Sequence, residues 1–135
     1  MNVTLLALYI ADKQTGREEV NTISVDENGI IGDKFYAKDK DRSILVTSLT
    51  SYELAIQNGI NTPYGSLGEN ILVKENIYHL TIGEKFFINN VEFEVTQPCT
   101  ICKSLAKVDP KLPKLLKCDR GIFVKATSKG NLTLS

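Results

Sequence analysis

The chain contains no tryptophan, one histidine, one methionine and only three cysteines in 135 residues. An odd, small number of thiols does not fit a small secreted disulfide scaffold. Charge of either sign is not in excess, because sixteen basic residues balance sixteen acidic ones. No overall field therefore draws the chain to nucleic acid or to an anionic membrane. No apolar run approaches the roughly 18 residues that a membrane-spanning helix needs. Val3 to Ile10 is apolar apart from Thr4, yet no basic region precedes it and no small-residue cleavage site follows. Linkers, repeats and low-complexity tracts are absent as well. The expectation is a single cytoplasmic domain spanning residues 1–135, with reduced thiols and a core that needs no staples.

What is present is a series of short β-rich segments. Val3–Ala11 and Val20–Val25 flank a turn at Lys13–Gly16 and read as a hairpin with a long loop. Asn28-Gly29 is a strong turn, and Ser43–Thr47 is a short strand. Leu49–Asn58 has helical spacing, with Ser48 or Thr50 as N-cap, Glu53 at the capping-box position relative to Thr50, and Gly59 past the end. Ile71–Val73 is a strand. Lys85–Ile88 and Val91–Thr96 form a hairpin around Asn89-Asn90, two residues that tolerate positive φ. Lys103–Lys117 is helical in patches that Pro110 and Pro113 must break. Ile122–Ala126 and Leu132–Leu134 suggest a last hairpin around Lys129-Gly130. Many short strands with few helices indicate a mainly β fold, a small closed barrel-like sheet.

Three clusters could carry chemistry. The first runs from Gly29-Ile30-Ile31-Gly32-Asp33-Lys34 through Lys38, Lys40 and Arg42. Its glycines allow a tight turn whose N–H groups can cradle an anion, and its cations can add charge-assisted bonds to a phosphate. Asp33, Asp39 and Asp41 dilute that charge, and a solvated loop is the alternative. The second is Gly65-Ser66-Leu67-Gly68-Glu69-Asn70. It lacks the Lys and Ser/Thr of a P-loop. Glu69 could accept from a heterocycle's N–H groups and Asn70 could donate and accept, or both could bind loop backbone. The third is Cys99 and Cys102, placed just after the alternating strand Val91–Thr96. The CxxC spacing suggests zinc or thiol exchange. Only Cys118 and His79 remain as further ligands, and His79 reads as a half-buried structural residue.

The order of these clusters resembles the MOSC domain, named for the C-terminus of molybdenum cofactor sulfurase. Gly-Ile-x-Gly-Asp is followed by Arg-Ser-Ile-Leu-Val, then Gly-x-Leu-Gly-Glu-Asn-Ile. An alternating strand then ends Val-Thr-Gln-Pro before a Cys, and Gly-Ile-Phe-Val-Lys-Ala closes the pattern. The resemblance runs from about Val3 to the C-terminus. It implies a β-barrel of the pyruvate-kinase type with a few short helices, and a pocket for the pyranopterin molybdenum cofactor in its molybdopterin form.

In the family one Cys after the Val-Thr-Gln strand is the reactive residue, either ligating molybdenum or carrying a persulfide. The common pattern Gln-Pro-Arg-x-x-Cys places Cys102 there and Cys99 in the position of the Arg. Cys102 is thus the expected metal ligand and catalytic residue, with Cys99 second. Asp33, Lys34, Lys40, Arg42, Gly68, Glu69 and Asn70 are the expected cofactor contacts. The implied activity is reduction of N-hydroxylated compounds with an electron-donor protein, or a non-catalytic role carrying cofactor or sulfur from a sulfur donor. A zinc or redox CxxC protein is the alternative from another class.

Overall fold

A computed structural model describes residues 1–12, 14, 16–99, 103–116 and 120–134, with no side chains for 103–105. β1 (Leu5–Asp12), β2 (Gly16–Val20), β5 (Ile44–Ser48), β6 (Ile71–Val73), β7 (Lys85–Ile88), β8 (Val91–Pro98) and β9 (Ile122–Ala126) build a seven-stranded sheet. Its order is β2-β1-β6-β5-β9-β8-β7. β3 (Thr22–Asp26), β4 (Gly29–Ile30) and β10 (Gly130–Thr133) make a second sheet in the order β10-β3-β4. α1 (Leu49–Gln57), α2 (Lys103–Val108) and α3 (Leu112–Leu115) complete the fold. No helix among the described residues is long and apolar enough to cross a membrane.

Alternation along the strands sorts the core into two clusters. Leu8, Ile44, Val46, Ile71, Val73, Phe93 and Val124 face Ile23, Val25, Ile30 and Leu132 of the second sheet. The intervening residues point the other way. Ala7, Tyr9 and Leu72 pack with Tyr52 and Ala55 of α1, Ile60, Leu67, and Leu112 and Leu116 around α3. Period-two alternation lets one sheet bury both faces. The second face, toward the helices, carries the polar groups of the candidate site.

Several local expectations hold. Asn89 and Asn90 turn the β7–β8 hairpin with φ of +47° and +69°, the positive pair that this kind of turn requires. Pro110 lies between α2 and α3, and Pro113 lies in the first turn of α3, where its missing N–H costs nothing. The Ser48 hydroxyl, rather than that of Thr50, caps α1 by accepting from Thr50 N–H.

Other expectations are corrected. The sheets do not close into a barrel. Residues 1–3 reach β7 through one isolated bridge, Asn2 to Phe87, with Val3 N–H donating to Phe87 O. The ladder then breaks at Thr4, whose N–H and hydroxyl both bind the Glu75 carboxylate. β1 continues past a register shift between Leu5 and Ala7. Val20–Val25 is not one strand, since the chain changes sheets at Asn21, leaving β2 on β1 and β3 on β10. The last hairpin is not formed either, because β10 pairs with β3 while β9 lies between β5 and β8. Leu132 is fully buried in the cluster between the two sheets, a position that pairing beside β9 would not give it. His79 is exposed, not half-buried.

Candidate functional site

The Gly65–Asn70 loop is folded inward by its glycines. Gly65 has φ +91°, and a Cβ there would lie 2.8 Å from the Tyr9 ring. Only glycine lets the backbone pass so close to that ring. The turn delivers Glu69 to the interior, where it is 0% exposed. Tyr52 O–H donates to Glu69 Oε2 at 2.5 Å and Gly65 N–H donates to the same oxygen at 3.2 Å. Glu69 Oε1 is buried with no partner among the described residues. Burial pushes the Glu69 carboxyl above its ordinary value, with the Tyr52 and Gly65 bonds and the Arg17 charge pulling back. The Tyr52 phenol is pushed up in turn by burial and by Glu69. Burial, Glu19 and Glu69 raise Tyr9 to about 12.

Asn70 and Asp33 explain why two distant motifs share one chain. Asn70 Oδ1 accepts from Leu45 N–H of β5 at 3.0 Å. Its Nδ2 donates to Tyr9 O of β1 and to Asp33 Oδ1 at 3.1 Å. Asp33 accepts also from Ala11 N–H and Phe35 N–H. The Gly-Asp turn, β1, β5 and the start of β6 are thereby tied at one point. Both side chains spend their bonds on the protein's own backbone and on each other.

The end of β8 meets the start of β9 at Cys99. Its N–H donates to Gly121 O, and the thiol is 6% exposed. Arg120, 7% exposed, donates from Nη1 to Cys99 Sγ at 2.9 Å and from Nη2 to Leu67 O at 3.2 Å. Thr47 Oγ1 holds the Arg120 carbonyl. One guanidinium thus joins the thiol-bearing strand end to the Gly65–Asn70 loop. Gly68 borders it, since a Cβ there would come 3.7 Å from Arg120 Nη2. Cys102 and Cys118 lie outside the described residues. Among the described residues no group of His, Cys, Asp and Glu side chains is arranged to hold a metal ion.

The expected cations are not gathered in one place. Lys34 lines an open depression of about 580 Å³ with Ala11, Asp12, Gln14, Gly32, Asp33, Tyr36 and Lys38. Arg42 instead lies over the Phe123 ring of β9, 5.1 Å from its centroid. Lys40 is exposed and does not line the depression.

Three contributors escape a reading by sequence. Arg17 donates to Glu69 O at 3.0 Å from the edge strand β2. Tyr52 reaches Glu69 from α1, and Arg120 reaches Cys99 across 21 positions. The one available signal was Arg120 standing directly before the Gly-Ile-Phe-Val-Lys-Ala segment. Arg17 and Tyr52 sit in ordinary strand and helix patterns with no motif around them.

A mainly β scaffold with a thiol, a buried guanidinium and a buried carboxyl at one end of its sheet defines the class. The MOSC domain family model matches residues 25–129, so the chain belongs to the MOSC domain family. Solved structures agree in fold. The YuaD protein of Bacillus subtilis superposes with TM-score 0.77 at 18% identity, over 97% of this chain and 91% of that one. YiiM from Geobacillus stearothermophilus gives TM-score 0.76 at 16% identity, over 97% and 71%. YiiM from Escherichia coli gives 0.63 at 19%, over 95% and 66%. Comparison with curated proteins found no match.

Proposed function

We propose that this MOSC domain binds a pyranopterin molybdenum cofactor on the helix-facing side of its sheet, with a thiol of the Cys99–Cys102 segment as the molybdenum ligand or sulfur carrier. The observation that carries this reading is Arg120, which ties the thiol at the end of β8 to the Leu67 carbonyl, next to the Gly68-Glu69-Asn70 segment. The donor set fits the group. A soft thiol suits molybdenum, guanidinium groups suit an anionic substituent, and the unpartnered Glu69 Oε1 suits a pterin N–H. When bound, the group supplies two-electron redox chemistry at the metal.

The chain's own residues have separable roles. Cys102 is the ligand or carrier thiol, as the family pattern places it. Cys99, in the position of the pattern's Arg, has a side chain short enough to leave room for Arg120. The guanidinium absent from the end of β8 is then supplied from the start of β9. Asp33 and Asn70 hold the loops that frame the pocket, and Glu69 presents an acceptor. Lys34 is the candidate of the original cation set that lines an open depression, which neither Lys40 nor Arg42 lines. Reduction of N-hydroxylated compounds or transfer of persulfide sulfur is the activity proposed for the loaded protein.

The test is metal analysis of protein made in a host with the cofactor pathway. Wild type and Cys99→Ser should contain molybdenum, and Cys102→Ser should not. Loss in Cys99→Ser alone would move the ligand role to Cys99. Retention in both variants would end the thiolate-ligand reading.

A further inference from the structure

Arg17 is a guanidinium whose bonding capacity the protein barely uses. It sits on edge strand β2, half-buried, and burial pulls its pKa below the ordinary value. Among the described residues it makes one hydrogen bond, to the Glu69 carbonyl. Its five N–H groups form a rigid fork suited to two oxygens at once. Asp33 and Glu69 act on it electrostatically, yet it forms no ion pair with a described residue. Asp33 has both oxygens occupied by Ala11, Phe35 and Asn70. Burial favours the neutral form of Glu69. Neither carboxyl therefore supplies the directional partner that a desolvated guanidinium calls for.

A depression lies beside Arg17, lined by its ladder partner Ala11 rather than by Arg17 itself. Arg17 stands directly opposite Ala11 in the β1–β2 ladder, so their side chains share a face. Ala11 lines the depression of about 580 Å³ together with Asp33, Lys34 and Lys38. That volume is within the usual range for a small-molecule site. Lys34 and Lys38 place two further cations on its wall, and Asp12 and Asp33 are the opposing charges there.

We propose that this depression seats a phosphate-type dianion, with Arg17 as its bidentate ligand and Lys34 and Lys38 completing the charge. The proposal rests on the reading of the helix-facing side as the ligand face, but not on the ligand being a pterin. A phosphoryl group offers paired oxygens to the fork, which a carboxyl already consumed by backbone cannot. It also moves the anion-binding role away from Lys40 and Arg42.

Inorganic phosphate titrated calorimetrically into the purified chain, at ionic strength held constant with chloride, reads the site directly. Wild type should bind one equivalent, and Arg17→Gln should weaken binding by about tenfold or more. Arg17→Lys, which keeps charge but not the fork, should fall between. Lys111→Gln, an exposed lysine before α3, should bind as wild type does. Equal affinity of wild type and Arg17→Gln overturns the proposal, as does the absence of saturable binding by wild type. If Arg17→Gln does not fold, Lys34→Gln/Lys38→Gln carries the test, and unchanged affinity there overturns it.

Molybdenum content separates the two possible sources of the phosphoryl group. Metal in wild type that falls in Arg17→Gln would identify the cofactor's phosphate as the occupant. Phosphate binding that depends on Arg17 in a protein that never acquires molybdenum would support the anion seat while refuting the cofactor reading.

Discussion

Replacing Glu69 by Gln tests the electrostatics of the buried loop through the pH dependence of stability. The carboxyl is fully buried with one oxygen unpartnered, and burial raises its pKa above the ordinary 4.5. The folded protein therefore holds this proton more tightly than the unfolded chain does. As pH rises from the ordinary value through the raised one, the unfolded chain loses its proton first. Stability falls across that window, at up to about 1.4 kcal/mol per pH unit for one proton. Gln has no proton to lose. Asp26, held low by the Tyr36 hydroxyl, contributes the opposite slope, but it is present in both proteins and cancels in their difference. Urea midpoints measured for both from about pH 5 to about pH 8 should show wild type losing stability relative to Glu69→Gln as pH rises. A difference that stays flat, or that grows in favour of wild type, would refute the buried, destabilised carboxyl.

Asn70→Ala should cost about 2–4 kcal/mol in denaturant unfolding, because Leu45 N–H loses its acceptor inside the protein and Asp33 loses a donor. A loss below about 1 kcal/mol would show that water replaces the amide there. Gly121→Ala should cost about 1–3 kcal/mol, since the new Cβ would meet Val46 O at 2.9 Å and the Thr47 hydroxyl at 3.1 Å. Phe93→Ala, at the fully buried stack with Phe86, should cost about 3–5 kcal/mol. Tyr52→Phe removes the donor to Glu69, which should raise that carboxyl's pKa further and widen the pH window in which stability falls. An unchanged window would mean the Tyr52 bond does not favour the ionised form.

Legibility in the sequence followed the range of the interactions involved. The β7–β8 hairpin was readable because Asn89-Asn90 and the flanking alternation act within a few residues. The α2–α3 break was readable because proline lacks an N–H wherever it stands. The partners of β10 were not, because pairing with β3 joins residues more than 100 positions apart, and alternation names a buried face without naming the neighbour. The switch of sheet at Asn21 failed for the same reason. Barrel closure failed because it depends on the edge strands β2 and β7 meeting, whereas among the described residues β7 gains only a single bridge to Asn2, ahead of β1.

The sequence by itself determined the family, the mainly β class, and the three segments proposed to frame a site. Those follow from ordered local motifs and from the period of the hydrophobic pattern. The tertiary structure alone decided which charges come together beside those segments. Arg17, on β2, and Arg120, just before β9, approach the Gly65–Asn70 loop from 52 and 53 positions away in the chain, whereas Arg42, the arginine inside the motif, rests on Phe123. Charges near in sequence are separated by the turns between them. Those brought together by a strand ladder lose water at the same place, and desolvation is what gives their interactions direction and strength.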